Sequence, residues 1–309
     1  MILLASTSPG WSWNLVQDVQ TMFTYQFMVS AYEAGTIVAI TAALVGWFMV
    51  LRKQTFAGHT LAMVAFPGAA AATLIGVSLS LGYFTFCIAA ALVIAVAPHG
   101  KASSGGFNEE SAVTGTVQAL ALASGFLFIA LYKGFLAGIS SLLFGTFLGT
   151  TSAQVTTLLV VAVLVIAALG VIGRPLLYAS VDGDVAAAVG VPVRGLRVAF
   201  LVLLGVAAAA TSQITGALLV FALLVMPAAT AQRLTARPAL SLALAVVIGL
   251  VVAWISLAVA FFTPYPLGFW VTSIAFGAYA LTHLGAALAG RSRERRPRQP
   301  VAAVARRAA

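Results

Sequence analysis

Residues 239–262 read ALSLALAVVIGLVVAWISLAVAFF and contain no charged side chain. As a helix rising ~1.5 Å per residue, such a stretch crosses a hydrocarbon core of about 30 Å. Residues 153–173, AQVTTLLVVAVLVIAALGVIG, share this character except at their polar start. So does the chain as a whole. Of its 309 residues, 62% are hydrophobic and 7% are charged, against roughly 25% charged in a typical soluble domain. That is too little charge to cover a water-soluble globule, and the mean hydropathy of +1.08 agrees. Inside lipid every backbone N–H and C=O must be satisfied within the protein, which leaves helices or a closed barrel. Long unbroken apolar runs, rather than short alternating strands, select helices. The expected fold class is all-α, a polytopic transmembrane helical bundle.

Working outward from these two runs, hydropathy predicts spans near 28–51, 59–79, 81–98, 112–132, 153–173, 198–213, 215–232, 239–262 and 267–288, about nine in all. The second and third are separated only around Gly82, and the sixth and seventh only at Gln213–Gly216, so either pair also reads as one broken element. Basic residues concentrate on the cytoplasmic side of membrane proteins. With Arg52 and Lys53 placed in the cytoplasm, alternation of nine spans puts fifteen of the sixteen Lys and Arg on that side, and only Lys133 outside. This gives an external N-terminus and a cytoplasmic C-terminus. Three regions are expected: an external interfacial segment over 1–26 with Trp11, Trp13 and Tyr25 as anchors; the membrane domain over 27–290; and a basic, disordered cytoplasmic tail over 291–309. The segment 134–152 is too apolar for a free loop and reads as a re-entrant or surface helix.

The same composition excludes several functions. A lone cysteine, Cys87, permits neither a disulfide framework nor a thiolate metal cluster, and it reads as a core residue. The net charge of +9 sits between apolar runs and in the tail, a pattern that orients a membrane protein rather than binding nucleic acid. No HExxH, GxSxG or phosphate-binding GxxxxGK[ST] sequence occurs. The chain is therefore expected to be no enzyme and to need no cofactor, and any ATP-driven step belongs to a partner. A secondary transporter would require intramembrane acids, and Glu33 is the only one inside an apolar span. It reads as an interfacial carboxylate, or as an acidic lip attracting a cation.

The stretch most informative for function is RKQTFAGHTLAMVAFPGAA, residues 52–70. His59 and Met63 stand four apart and so share a helix face. Imidazole and thioether both bind borderline or soft metals, although each is also an ordinary packing residue. Pro67 removes one helical hydrogen bond and Gly68 admits a close neighbour, so a kink or gate is expected there and again at Pro227. His99 and His283, at helix ends, read as solvated or capping groups. Gln213 and Thr215 read as satisfying backbone groups at a helix break, or as lining a vestibule.

At this point the chain resembles a known family, the ABC-3 permeases of zinc/manganese-type ABC importers. The resemblance is carried in order by residues 35–68, by EESAVTG at 109–115, by SLLFGTFLG at 141–149, by SVDGDVAAAVGVPVRGLR at 180–197 and by QITGALLVFALLVMPAATAQR at 213–233. It implies a multi-pass permease of the cell membrane that moves a divalent or soft metal ion such as zinc or manganese by alternating access. The implied partners are a cytoplasmic ABC ATPase, an extracellular substrate-binding protein and a second copy of the chain. An ABC permease for a non-metal substrate remains the alternative. In the family the second helix carries Gly–Asp–x–x–x–His, whose Asp and His contact the metal. Here Gly58 is kept, but His59 stands at the Asp position and Met63 at the His position. The pair has lost an anionic oxygen and gained a thioether, which disfavours manganese and leaves zinc, copper or another soft ion.

The polar connection 174–197 has a chemistry of its own. Asp182 or Asp184 can cap a short Ala-rich helix and Gly190 can end it, with Arg194 and Arg197 flanking. The resemblance implies that this loop (Asp182, Asp184, Gly190, Arg194) seats on the ATPase. An ordinary capped loop helix is the alternative.

Overall fold

The computed structural model describes residues 14–97, 106–132, 149–217 and 219–294. Within them the chain forms eleven helices: α1 (Leu15–Thr24), α2 (Gln26–Leu51), α3 (Thr55–Ile75), α4 (Leu79–Val96), α5 (Gly106–Leu131), α6 (Ser152–Val181), α7 (Gly183–Ala188), α8 (Val193–Thr215), α9 (Val220–Leu234), α10 (Pro238–Phe262) and α11 (Leu267–Glu294). Eight of these are long and apolar enough to span a membrane: α2 to α6, α8, α10 and α11. The ninth apolar helix, α9, has only 15 residues, about 22 Å at ~1.5 Å per residue.

Burial divides the bundle into inner and outer helices. Helices α2, α3 and α8 are mostly buried, whereas α5, α6 and α11 present most of their apolar residues outward, as lipid-facing helices do. Helix α3 packs on α4, α5 and α8. Helix α2 packs on α6, α9 and α10, and α8 bridges the two groups. With no hydrophobic driving force between helices in lipid, close approach at small residues carries the packing. Gly68 of α3 and Gly82 of α4 meet backbone to backbone: a Cβ on either would strike the other's carbonyl oxygen. Gly46 of α2 sits in the same way on the Leu224 carbonyl of α9. Cys87 is fully buried, and its Sγ contacts the Leu61 carbonyl oxygen at 3.3 Å.

Several helix bounds differ from the sequence expectation, each for a physical reason. Helix α6 does not stop at 173 but runs to Val181, with Arg174 and Pro175 inside it. A proline costs one hydrogen bond there, and the extra turns are held by Leu176, which is fully buried. Helix α8 starts at Val193, so Arg194 and Arg197 lie in its first turns and the connection shrinks to Asp182–Pro192. Helix α11 extends to Glu294, so the first residues of the expected tail are helical. Trp11, Trp13, His99, Lys101, Lys133, residues 134–148 with most of the SLLFGTFLG stretch, and the tail from 295 lie outside the described residues.

Candidate functional site

From Ala57 to Ala72 every residue of α3 is buried except two, His59 and Met63. These half-buried side chains stand one helical turn apart on one face, their Cβ atoms about 6 Å apart. Across the His59 ring lies Phe221 of the short helix α9, edge to face at 5.0 Å between centroids. The His59 Nδ1 is buried without a hydrogen-bond partner. Buried polar atoms are seldom left unpaired, which makes this imidazole, one turn from a thioether, a candidate ligand position. One turn on, Pro67 is buried within α3 and has no N–H for the Met63 carbonyl. A backbone oxygen therefore joins the two side-chain donors on that stretch of helix. Among the described residues no cluster of three His, Cys, Asp or Glu exists.

The other expected residues fall as follows. Pro227 is buried inside α9, which remains helical through it. Glu33 is exposed on α2. His283 stacks on Tyr279 at 4.3 Å between centroids. Thr215 Oγ1 donates to the Thr211 carbonyl at 2.9 Å, and Ser80 Oγ of α4 lies 2.8 Å from Gln213 Oε1. Both residues thus hold the helix ends around the break before α9.

At the basic end, residue types carried the local structure of the α6–α8 connection. Asp182 is the N-cap of α7, its Oδ1 accepting from the backbone N–H groups of Asp184 at 3.1 Å and Val185 at 3.0 Å. Gly190 adopts φ +88°. There its N–H bonds the Ala187 carbonyl and the Val191 N–H bonds that of Ala186, each at 3.0 Å, the Schellman pattern that closes a helix. Asp184 and Arg194 are exposed beside it. So are Val185 (59%) and Val189 (74%), apolar side chains with nothing covering them at a polar end of the bundle.

A polar network that the sequence did not reveal ties five helix ends together near this connection. Arg197 of α8 pairs with Glu110 of α5 at 3.4 Å. Gln54, at the start of α3, donates to Glu110 at 3.4 Å. Arg52, at the end of α2, donates to Gln54 at 3.1 Å and to Ser180 of α6 at 3.2 Å, and lies over the Phe200 ring. Burial and then the charge of Arg197 pull the Arg52 guanidinium below its ordinary value, and Glu110 opposes them. The only signal in sequence was the acid-bearing start of α5, whose partner lies far along the chain. Glu110→Ala should lower stability by about 1–3 kcal/mol, because it leaves a largely buried guanidinium uncompensated. Glu110→Gln, which keeps an acceptor, should cost less. Thermal unfolding in detergent measures both, and an Ala variant as stable as wild type would remove the network's importance.

Eight helices long and apolar enough to cross a membrane make this an integral membrane protein. The chain belongs to the ABC 3 transport family, whose sequence profile matches residues 24–285. In that family the membrane subunit is a permease, and nucleotide hydrolysis is done by a separate ATPase. The manganese transport system membrane protein MntC of Halalkalibacterium halodurans is 28% identical over 240 residues, covering 78% of this chain and 80% of that protein. MntC of Listeria innocua is 30% identical over 244 residues, covering 77% and 83%. The structure of PsaBC from Streptococcus pneumoniae in complex with Fab has a chain of the same fold, at a TM-score of 0.76 and 22% identity, covering 87% of this chain and 95% of that one.

Proposed function

We propose that this chain is one half of a homodimeric permease that imports a divalent or soft metal ion by alternating access. An external binding protein delivers the ion. A cytoplasmic ATPase seated on the α6–α8 connection supplies the energy. The observation that carries this reading is the half-exposure of His59 and Met63 on a stretch of α3, Ala57 to Ala72, whose other residues are all buried. A second copy facing the same stretch would double the donor count to two imidazoles and two thioethers. The MntC relatives are named for manganese, a hard ion that binds nitrogen and sulfur donors weakly. Imidazole and thioether instead favour zinc or copper over manganese. For coupling, the support is the capped helix α7 with Val185 and Val189 bare. Its six residues are too short to hold themselves helical without a cap, and losing the Asp182 side chain costs about 1 kcal/mol.

Proteoliposomes test both parts. With its ATPase and ATP the chain should accumulate zinc against a gradient, with manganese the weakest competitor, and without the ATPase it should not. Asp182→Ala should release the ATPase or abolish its stimulation while leaving the bundle's melting temperature nearly unchanged. Uphill flux by the chain alone would overturn the energy source. An Asp182→Ala complex that stays bound and stimulated would overturn the coupling role.

A further inference from the structure

On the outer side of the bundle, away from the His59 site, α2, α6 and α10 enclose a trough of about 530 Å³. Its walls are apolar, with Leu44 and Phe48 from α2, Ile166 and Gly170 from α6 and Leu242 from α10. Gly170 helps leave the trough open, since a Cβ there would meet nothing within 4 Å. One charged group lines it, Arg174. This arginine is exposed, and no ion pair to it occurs among the described residues. The nearest acid along the chain, Asp182, spends Oδ1 on capping α7. The facing helix α10 carries no acid, and the one on α2, Glu33, lies toward that helix's opposite end.

Depth decides what such an arginine meets. Helix α6 has 30 residues, about 45 Å, which matches a bilayer with its headgroup layers. Arg174 lies seven positions before the last residue, Val181, or about 10 Å in from that end. This is the boundary between headgroups and hydrocarbon, where an arginine stem lies along apolar surface and its guanidinium reaches for anions. A guanidinium binds phosphate oxygens in a two-pronged fashion. We infer that the trough is a binding site for one anionic phospholipid, with its phosphate on Arg174 and an acyl chain between α2, α6 and α10.

The test separates headgroup from tail. Purified protein is offered phosphatidylglycerol or phosphatidylcholine, and lipid retained is read by native mass spectrometry alongside melting temperature. Wild type should retain phosphatidylglycerol about fivefold better, the preference expected of one basic residue at the membrane surface. Arg174→Gln should bring that ratio close to one. Arg233→Gln removes the same charge from an exposed position outside the trough and should leave the ratio intact. Gly170→Leu fills the trough and should lower retention of both lipids. Equal retention of the two lipids by wild type would overturn the proposal. So would an undiminished preference in Arg174→Gln, or a Gly170→Leu variant that changes the oligomeric state without changing lipid retention.

Discussion

His59→Ala should cut metal accumulation by tenfold or more in cells that contain the complete transporter. Losing even an outer partner of a metal ligand typically costs ten- to a hundredfold in affinity or activity, and His59 offers its nitrogen directly. The substitution should leave folding intact. The Nδ1 has no partner to orphan, and what is lost is one edge-to-face contact with Phe221, worth about 0.5–1.5 kcal/mol. Met63→Leu keeps the volume and removes the sulfur, so any fall in uptake reports the thioether and not packing. The double variant His59→Asp with Met63→His rebuilds the family's own pair. It should restore uptake and move the preference toward manganese, since a carboxylate returns a hard oxygen donor. Radioisotope or mass-spectrometric metal content checks all of these. Unchanged zinc, copper and manganese in His59→Ala and Met63→Leu would sink the donor assignment and leave the permease reading standing.

The second large effect is structural. Gly68→Val or Gly82→Val should prevent assembly of the bundle. At each position the added atom would strike the carbonyl oxygen of the other helix, and a backbone cannot rotate aside as a side chain does. Overpacking a core ordinarily costs 1–3 kcal/mol. Forcing α3 off α4 over its whole contact should exceed about 3 kcal/mol, a large part of the 5–15 kcal/mol that holds a typical protein together. Gly58 is the contrast. The nearest atoms to a Cβ there belong to the Met49 side chain rather than to backbone; Met49 is itself fully buried, so Gly58→Ala should cost something, but less than Gly68→Val. Gly277→Ala enters open space and should be silent. Yield of monodisperse protein in detergent separates these outcomes. A well-folded Gly68→Val protein would show that the two helices can part without loss.

Much of this architecture is legible in the sequence because lipid makes it so. Spans must be long, apolar and helical, and eight of the expected nine runs form such helices. The α7 caps were legible too, since Asp182 and Gly190 are residue types with few other uses in such a turn. Helix ends governed by tertiary contact were not. Gly173–Arg174–Pro175 reads as a stop, yet α6 continues because Leu176 finds a buried place and one missing hydrogen bond is a small loss. The short α9 begins later than its apolar run because the chain breaks at Gly216, with φ +74°. The candidate donors His59 and Met63 could be named from chemistry and spacing. That they are the only unburied positions on sixteen residues of α3, and that Phe221 lies beside one of them, depends on how distant helices pack.

The contact of Gly68 with Gly82 involves no rotatable bonds. A main-chain contact of this kind freezes no side-chain rotamers, whereas a buried leucine or methionine gives up roughly 0.5–2 kcal/mol of such freedom. At this one point the α3–α4 join carries no rotamer penalty that grows with temperature, although Phe66, Tyr83 and Cys87 pack the rest of it with side chains. The helix bearing the candidate donor pair is thus fastened to α4 backbone to backbone at Gly68, while nine positions earlier His59 meets α9 through ring edges alone.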